Sequence, residues 1–199
     1  MRRPNLAALI LAAGQSKRMG QPKMLLPWGE RTVLQTVIAA FCAAGVTEIV
    51  VVTGALHDSI TALVGDTAHT VFNPEYANGE MLSSMQCGLR HLLAEAPKAE
   101  AVLVGLGDQP QVQVQSVEAV CAAFHQSGAN LVVPSFQKRR GHPWLVARPL
   151  WEALMALESS QTPRDFLNAH ADQIQYVDVD TPTILADLDT PDDYLKSRP

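Results

Sequence analysis

Residues 6–23 read LAALILAAGQSKRMGQPK, and the fold turns on how this stretch is read. Leu6–Leu11 is apolar at every position, as a parallel strand buried on both faces must be. The run ends in Ala12, Ala13 and Gly14, then gives way to a cationic turn with Ser16, Lys17 and Arg18 before Gly20, and Lys23 just beyond. A strand that delivers its C-terminal end into a glycine-rich, positively charged loop is how an α/β fold receives a phosphate. Taken alone, Lys17 and Arg18 also describe an ordinary solvated turn.

Two familiar phosphate motifs are excluded by spacing. Walker A needs four residues between its first glycine and Gly-Lys-Ser/Thr. Here five residues separate Gly14 from Gly20, and Gln21 follows. The dinucleotide pattern G-x-G-x-x-G is absent. What remains is a turn whose amides cradle phosphates, with Arg18 and Lys23 neutralising charge.

The bulk properties narrow the ligand. A chain of 199 residues with 47% hydrophobic residues can bury a real core, and residues 1–199 are expected to form one domain. A net charge of −5 gives no surplus of cations for DNA or RNA, so a few clustered basic residues suggest a small anionic ligand and no nucleic acid. Three cysteines, Cys42, Cys87 and Cys121, have no C-x-x-C spacing. They fit buried thiols in a reducing compartment. The start MRRPNLAALILAAG has the basic and apolar parts of a signal peptide, but the run is short and passes straight into the loop. No apolar stretch reaches the roughly 18 residues that span a bilayer. The expectation is a soluble cytoplasmic protein with no membrane partner.

Further along, Thr32 caps a helix to about Ala44, with Val33, Val37, Ala40 and Phe41 on its apolar face and Gly45 ending it. Glu48–Val52 is a second strand, closing in Thr53-Gly54. Ser59–Leu63 reads as a short helix and Thr70–Phe72 as a third strand. Asn73-Pro74 and Asn78-Gly79 signal turns, and Ser83 or Ser84 opens a helix to about Ala94. A buried strand at Ala101–Leu106 stops at Gly107-Asp108-Gln109-Pro110. Helix Val114–Gln126, strand Leu131–Pro134, a helix opened by Pro149 over Leu150–Leu157, another from Pro163, a strand at Gln173–Val179 and a helix from Pro191 follow. Alternating strands and helices argue a mainly parallel sheet covered on both faces, with an added antiparallel or mixed portion in the last third.

Several side chains stand where chemistry would need them. Asp108 follows the end of a buried strand, where α/β sheets bind ligands and where a bare carboxylate is costly without a cation. Read alone, it also caps the following turn. Asp187 and Asp189 are two apart and share a face if extended, although Asp189 or Thr190 also serves as a helix cap before Pro191. Asn78, Gly79, Ser83 and Ser84 offer amides and hydroxyls at a helix start, or simply a turn and a cap. Lys138, Arg139 and Arg140 form the densest basic run, by default a solvated face, or, next to His142, a patch that attracts an anionic phosphate substrate. His142 lies in a loop, poorly placed for the core. Met24, Met81 and Met85 read as core or pocket lining.

The stretch LAAGQSKRMGQPKMLLPWG resembles the signature of the MobA-like nucleotidyltransferases, and most nearly the molybdenum cofactor cytidylyltransferase branch. The likeness extends to VTG at Val52–Gly54, NPEYANGEMLSSMQCGL, GDQP at Gly107–Pro110, GHP at Gly141–Pro143 and DLDTPDDY near the end. It implies a Rossmann-like three-layer α/β/α sandwich of the nucleotide-diphospho-sugar transferase type. It further implies Mg²⁺-dependent transfer of CMP from CTP to molybdopterin with release of pyrophosphate. On that resemblance Leu11, Ala12, Ala13, Gly14, Ser16, Arg18, Gly20, Lys23, Thr53, Gly54 and Gly107 hold the nucleotide. Asp108, with Asp187 or Asp189, holds the metal. Arg18, Lys23 and Asp108 act on the reacting phosphates, and Asn78, Gly79, Ser83, Ser84, Gly141 and His142 meet the acceptor. Ala12-Ala13 favours a pyrimidine, since the guanylyl enzymes more often carry two glycines there. GTP on the same cofactor, a sugar or polyol phosphate acceptor, and a non-catalytic accessory of molybdenum hydroxylases stay as rival readings. A molybdenum hydroxylase apoenzyme is the implied protein partner.

Overall fold

The computed structural model describes residues 5–199; Arg2 and Arg3, the basic start weighed above as part of a leader, lie outside them. Along the chain, β1 (Leu6–Ala12) is followed by a 3-10 turn at Lys23–Leu25 and a small hairpin of β2 (Pro27–Trp28) and β3 (Arg31–Thr32). Then come α1 (Val33–Ala43), β4 (Glu48–Thr53), α2 (His57–Val64), β5 (His69–Phe72), α3 (Glu80–Glu95), β6 (Ala101–Leu106) and α4 (Val114–Ser127). The last third carries β7 (Leu131–Phe136), β8 (Arg139–Arg140), β9 (Trp144–Ala147), α5 (Trp151–Met155), α6 (Pro163–Ala169), β10 (Ile174–Asp178) and α7 (Pro191–Ser197).

The main sheet runs β10-β7-β9-β6-β1-β4-β5, with β8 paired to β7. β1 is parallel to both neighbours, with Ala12 opposite Thr53 of β4 and Leu11 opposite Leu106 of β6. The chain lays β4 and β5 on one side of β1 and then crosses to β6 on the other. That reversal is a topological switch point, where open α/β sheets bind ligands outside the carboxyl ends of their strands. Within the main sheet, β8 and β9 alone among the described strands run against the rest, and β10 returns parallel to β7. The antiparallel addition expected in the last third is therefore confined to β8 and β9.

Alternation along β1 builds both layers of the core. Ala8, Ile10 and Ala12 face Leu34, Val37 and Phe41 of α1, Ile60 of α2 and Val117 and Val120 of α4. Ala7, Leu9 and Leu11 face Met85, Leu89 and Leu92 of α3, with Trp151 and Leu154 of α5 and Phe166 of α6 beyond. The result is the expected three-layer α/β/α sandwich.

Local signals placed several elements well. Thr32 caps α1, its Oγ1 accepting from Gln35 N at 3.2 Å while Gln35 Oε1 accepts from Thr32 N at 3.1 Å. Gly128 ends α4 in the left-handed conformation, φ +63°. Other expectations are corrected. Helix α3 begins at Glu80, not at Ser83 or Ser84, because Asn73 and Gly79 organise its start and both serines fall inside the first turns. The expected helix at Ser59–Leu63 is longer at both ends. Leu150–Leu157 divides into a 3-10 turn at Arg148–Leu150, set by Pro149, and the shorter α5. Cys42 is exposed on α1, whereas Cys121 is buried as expected and Cys87 is half-buried.

A third, small apolar cluster brings the C-terminus to the loop after β1. Met19 and Val33 pack with Leu188 and Tyr194, and Tyr194 Oη donates to Pro27 O at 2.7 Å. Thr190, not Asp189, caps α7, exchanging hydrogen bonds with Asp193. Asp189 is thereby left free to face the loop.

Candidate functional site

The loop after β1 closes on itself. Ser16 O accepts from Met19 N at 3.0 Å and from Gly20 N at 3.1 Å, and Ser16 Oγ accepts from Lys23 N at 3.3 Å. Ser16 and Gly20 both hold positive φ, +52° and +68°, which suits the glycine and strains the serine. The ends of β1 and β6 are tied by Gly107 N donating to Leu11 O at 3.0 Å. A Cβ on Gly54, at the end of β4, would stand 2.7 Å from Tyr76 Cβ and crowd the Ala13 carbonyl. Three strand ends thus meet at one mouth.

Lys23 lies at the centre of that mouth. Its ammonium is ion-paired with Asp108, donates to Leu188 O at 3.0 Å and lies 3.6 Å from Asp189 Oδ1. Arg18, largely exposed, pairs with Asp189 at 2.9 Å. Leu188 N donates to Asp108 O at 3.0 Å, so the C-terminal segment is stitched to the loop after β6. Asp187 accepts from Gln109 Nε2 at 2.6 Å. Burial pushes the Asp187 carboxyl above the usual range; Gln109 and Lys23 oppose the rise, and the Asp108 and Asp189 charges add to it. Asp108 and Asp189 thus flank one ammonium with the Asp187 charge close by, while among the described residues no three acidic, histidine or cysteine side chains are already gathered as a metal site. Carboxylate oxygens are the donor type that Mg²⁺ and Mn²⁺ take.

Two hollows of about 320 and 370 Å³ open at this mouth. Gly14, Ser16, Lys17, Arg18 and Lys23 line the first. Leu11, Ala13, Asp108, Asp187, Asp189 and Ser84 are among the residues that line the second. Tyr76 and Glu80 line both. A larger cavity of about 760 Å³ adjoins them, with an apolar side of Leu82, Trp144 and Leu167 and a cationic side of Lys138, Arg139, Arg140 and Arg164. Glu80 and Met81 border this cavity as well as the 370 Å³ hollow. Arg140 is braced from behind, donating through Nε to Tyr176 Oη at 2.9 Å and through Nη1 to Asn168 Oδ1 at 2.8 Å. His142 lines the same cavity against Trp144, ring centroids 6.4 Å apart. Burial lowers its imidazole to about 4, so it is neutral at pH 7.

The remaining singled-out residues lie as follows. Gly79 and Gly141 line the large cavity. Gly141 is packed under Ile184, where a Cβ would come within 2.6 Å of Ile184 Cδ1. Ser84 lines the 370 Å³ hollow, its Oγ accepting from Asn73 Nδ2 at 3.1 Å, and Ser83 Oγ accepts from the same amide at 2.9 Å. Thr53 is fully buried, its hydroxyl against His57 Nδ1 at 2.7 Å and Val71 O at 3.0 Å. Ala12 is in the core. Met24 and Met85 are buried, and Met81 is partly exposed at the cavities. Sequence reasoning passed over Asn73, Tyr76, Glu80, Trp144 and Arg164. The turn signals around NPEYANGE pointed at the first three without giving them a role.

A family model described as the MobA-like NTP transferase domain matches residues 8–174. The molybdenum cofactor cytidylyltransferase of Escherichia coli K12 is 29% identical over 196 residues, covering 96% of this chain and 94% of its own. Nicotine blue oxidoreductase of Paenarthrobacter nicotinovorans is also 29% identical over 196 residues, covering 94% and 93%. The crystal structure of Rv0371c from Mycobacterium tuberculosis H37Rv superposes with a TM-score of 0.80 at 26% identity, covering 96% of this chain and 97% of that one. The same protein has also been solved in complex with manganese, with a TM-score of 0.74 at 23% identity and coverage of 96% and 97%.

Proposed function

Because the chain belongs to the MobA-like NTP transferase family and is a nucleotidyltransferase, we propose that it moves CMP from CTP to a molybdopterin-type acceptor and releases pyrophosphate. The observation that carries this reading is the pairing of cavities. A mouth with Arg18, Lys23 and three carboxylates adjoins a larger hollow with apolar and cationic sides, and Glu80 and Met81 border both. One hollow suits a nucleoside triphosphate. The other suits a flat, phosphate-bearing partner.

In this reading the acceptor phosphate attacks the α-phosphorus in line, the bond to the β-phosphate breaks, and pyrophosphate leaves. No covalent enzyme intermediate is needed, because charge stabilisation does most of the catalytic work in such transfers. Lys23 and Arg18 leave their carboxylates and turn to the β- and γ-phosphates, where negative charge grows. Asp108, Asp187 and Asp189 would hold the magnesium ion, which withdraws charge from the triphosphate. Lys138, Arg139, Arg140 and Arg164 draw in the anionic acceptor, and neutral His142 offers a hydrogen bond without further charge. The pyrimidine preference rests on Ala13, whose methyl lines the nucleotide hollow while Ala12 supports it from the core. A steric difference of this size is worth about 1–3 kcal/mol. Residues 1–199 act as one domain, in the cytoplasm, with a molybdenum hydroxylase apoenzyme as recipient of the product.

The test is a panel of CTP, GTP, UTP and ATP with Mg²⁺ and molybdopterin, scored by pyrophosphate release. Release with CTP and molybdopterin alone supports the reading. Release with GTP moves the protein to the guanylyl branch, and release only with sugar or polyol phosphates changes the acceptor. Tight CTP binding without turnover makes it an accessory protein. Since two relatives of equal identity carry different activities by name, a redox assay on the same preparation completes the panel.

A further inference from the structure

We infer that Glu80 reads the ribose diol of the bound nucleotide and so selects ribonucleoside over deoxyribonucleoside triphosphates. The inference rests on the nucleotidyltransferase reading above and adds a specificity residue to it.

Glu80 borders all three hollows: the cationic phosphate mouth, the carboxylate-lined hollow beside it and the acceptor cavity. Its backbone is held at φ +49°, a conformation uncommon for any residue but glycine and a frequent mark of functional sites. Ser83 fixes that conformation, its Oγ donating to Glu80 O at 3.1 Å and its N–H to Gly79 O at 3.0 Å. The residue before Glu80 is already a glycine, so the turn itself does not call for a glutamate next to it.

The side chain is exposed, and among the described residues no cation pairs with its carboxylate and no donor is hydrogen-bonded to it. A carboxylate only accepts hydrogen bonds. The triphosphate has none to give and would repel it. On a nucleoside triphosphate the donors are the ribose hydroxyls and the amino or imino groups of the base. The ribose is the covalent neighbour of the α-phosphorus, the atom at which the two substrates meet. A residue bordering both substrates' hollows is therefore placed beside the ribose, with the base farther along toward Leu11, Leu106 and Ser84.

The experiment measures binding of CTP, 2′-deoxy-CTP and 3′-deoxy-CTP, and of GTP and 2′-deoxy-GTP, to the wild type and to Glu80→Ala and Glu80→Gly. The wild type should favour ribonucleotides by about ten- to hundredfold, the range of a hydrogen bond to a charged group. Both variants should bring that ratio close to one. Glu80→Gly should also unfold at a higher temperature than Glu80→Ala, since it releases the backbone strain. A wild-type ratio near one, or a variant that loses ribo- and deoxyribonucleotides equally, overturns the proposal. Preference for GTP over CTP corrects the base choice but leaves the ribose ratio as the measure of Glu80. Failure of the wild type to bind any triphosphate overturns both readings.

Discussion

The Lys23 ammonium is ion-paired with the Asp108 carboxylate across 85 positions of sequence, and the same ammonium donates to Leu188 O at 3.0 Å. Both charged side chains are largely withdrawn from water, 11% and 16% exposed. Removing one partner leaves the other charge poorly solvated, which typically costs about 3 kcal/mol or more. Lys23→Ala and Asp108→Ala should each abolish turnover and lower the unfolding midpoint while the chain still folds. The apolar double variant Lys23→Met, Asp108→Leu should recover much of that stability and none of the activity. Denaturant melts beside a pyrophosphate assay check both halves, and near-normal rates in either single variant would overturn the site assignment.

Arg18 and Asp189 form a pair of a different kind. Arg18 is 71% exposed, so its ion pair at 2.9 Å is screened and adds little to stability. Asp189→Asn should melt within about 1 kcal/mol of the wild type. Its demand for divalent metal should rise all the same, because the variant weakens a carboxylate proposed to hold the ion. A titration of activity against Mg²⁺, run for both proteins after EDTA treatment, distinguishes this from a purely structural role.

How far the sequence disclosed this site depended on how local each signal was. Strand β1 and its loop are local, since apolar continuity, glycine spacing and nearby cations all lie within residues 6–23, and the structure follows them closely. Asp108 was legible for the same reason, as a polar residue ending a buried strand. Asp189 was ambiguous because DLDTPDD satisfies both a helix cap and a metal ligand. Only the cap formed by Thr190 with Asp193, and the packing of Tyr194 under Pro27, show which residue is free. The roles of Glu80 and Asn73 were illegible, although turn signals marked the segment that carries them. One adopts a backbone conformation its residue type disfavours, and the other organises two serines through a side chain whose neighbours come from tertiary packing.

Ligand and metal should stabilise the fold together. At CTP a hundredfold above its dissociation constant, binding linkage adds about 2.7 kcal/mol. For a chain of this size that raises the midpoint by roughly 5–10 °C. The shift should need Mg²⁺ or Mn²⁺ and vanish with EDTA. Thermal melts with CTP, with metal and with both would show it, and a full shift from CTP alone would deny the carboxylates their metal.

His142 makes stability depend on pH. Burial against Trp144 lowers its imidazole from near 6.5 to about 4, so the unfolded chain binds this proton at a pH where the folded chain does not. The contribution is fully present above about pH 6.5 and is lost as pH falls toward 4. Denaturant melts from about pH 7 down to about pH 4.5 should fall more steeply for the wild type than for His142→Gln. Parallel curves would mean that the imidazole takes up its proton in the fold as readily as in water.

Two glycines at the mouth separate architecture from ligand space. At Gly54 an added Cβ would lie 2.7 Å from Tyr76 Cβ and press on the Ala13 carbonyl, so Gly54→Ala forces strand β4 and the loop after β1 apart. Overpacking of this kind costs about 1–3 kcal/mol, and the loop it displaces holds Arg18 and Lys23. Gly54→Ala should lose both stability and nucleotide affinity. At Gly14 an added Cβ meets nothing within 4 Å, and the backbone is not in the left-handed region. The apo protein should tolerate Gly14→Ala within about 0.5 kcal/mol. Gly14 nevertheless lines both hollows of the mouth, so the new methyl stands where phosphate and ribose would lie. Gly14→Ala should melt like the wild type without ligand and show a much smaller CTP-induced shift. An unaltered shift would move the nucleotide away from this loop.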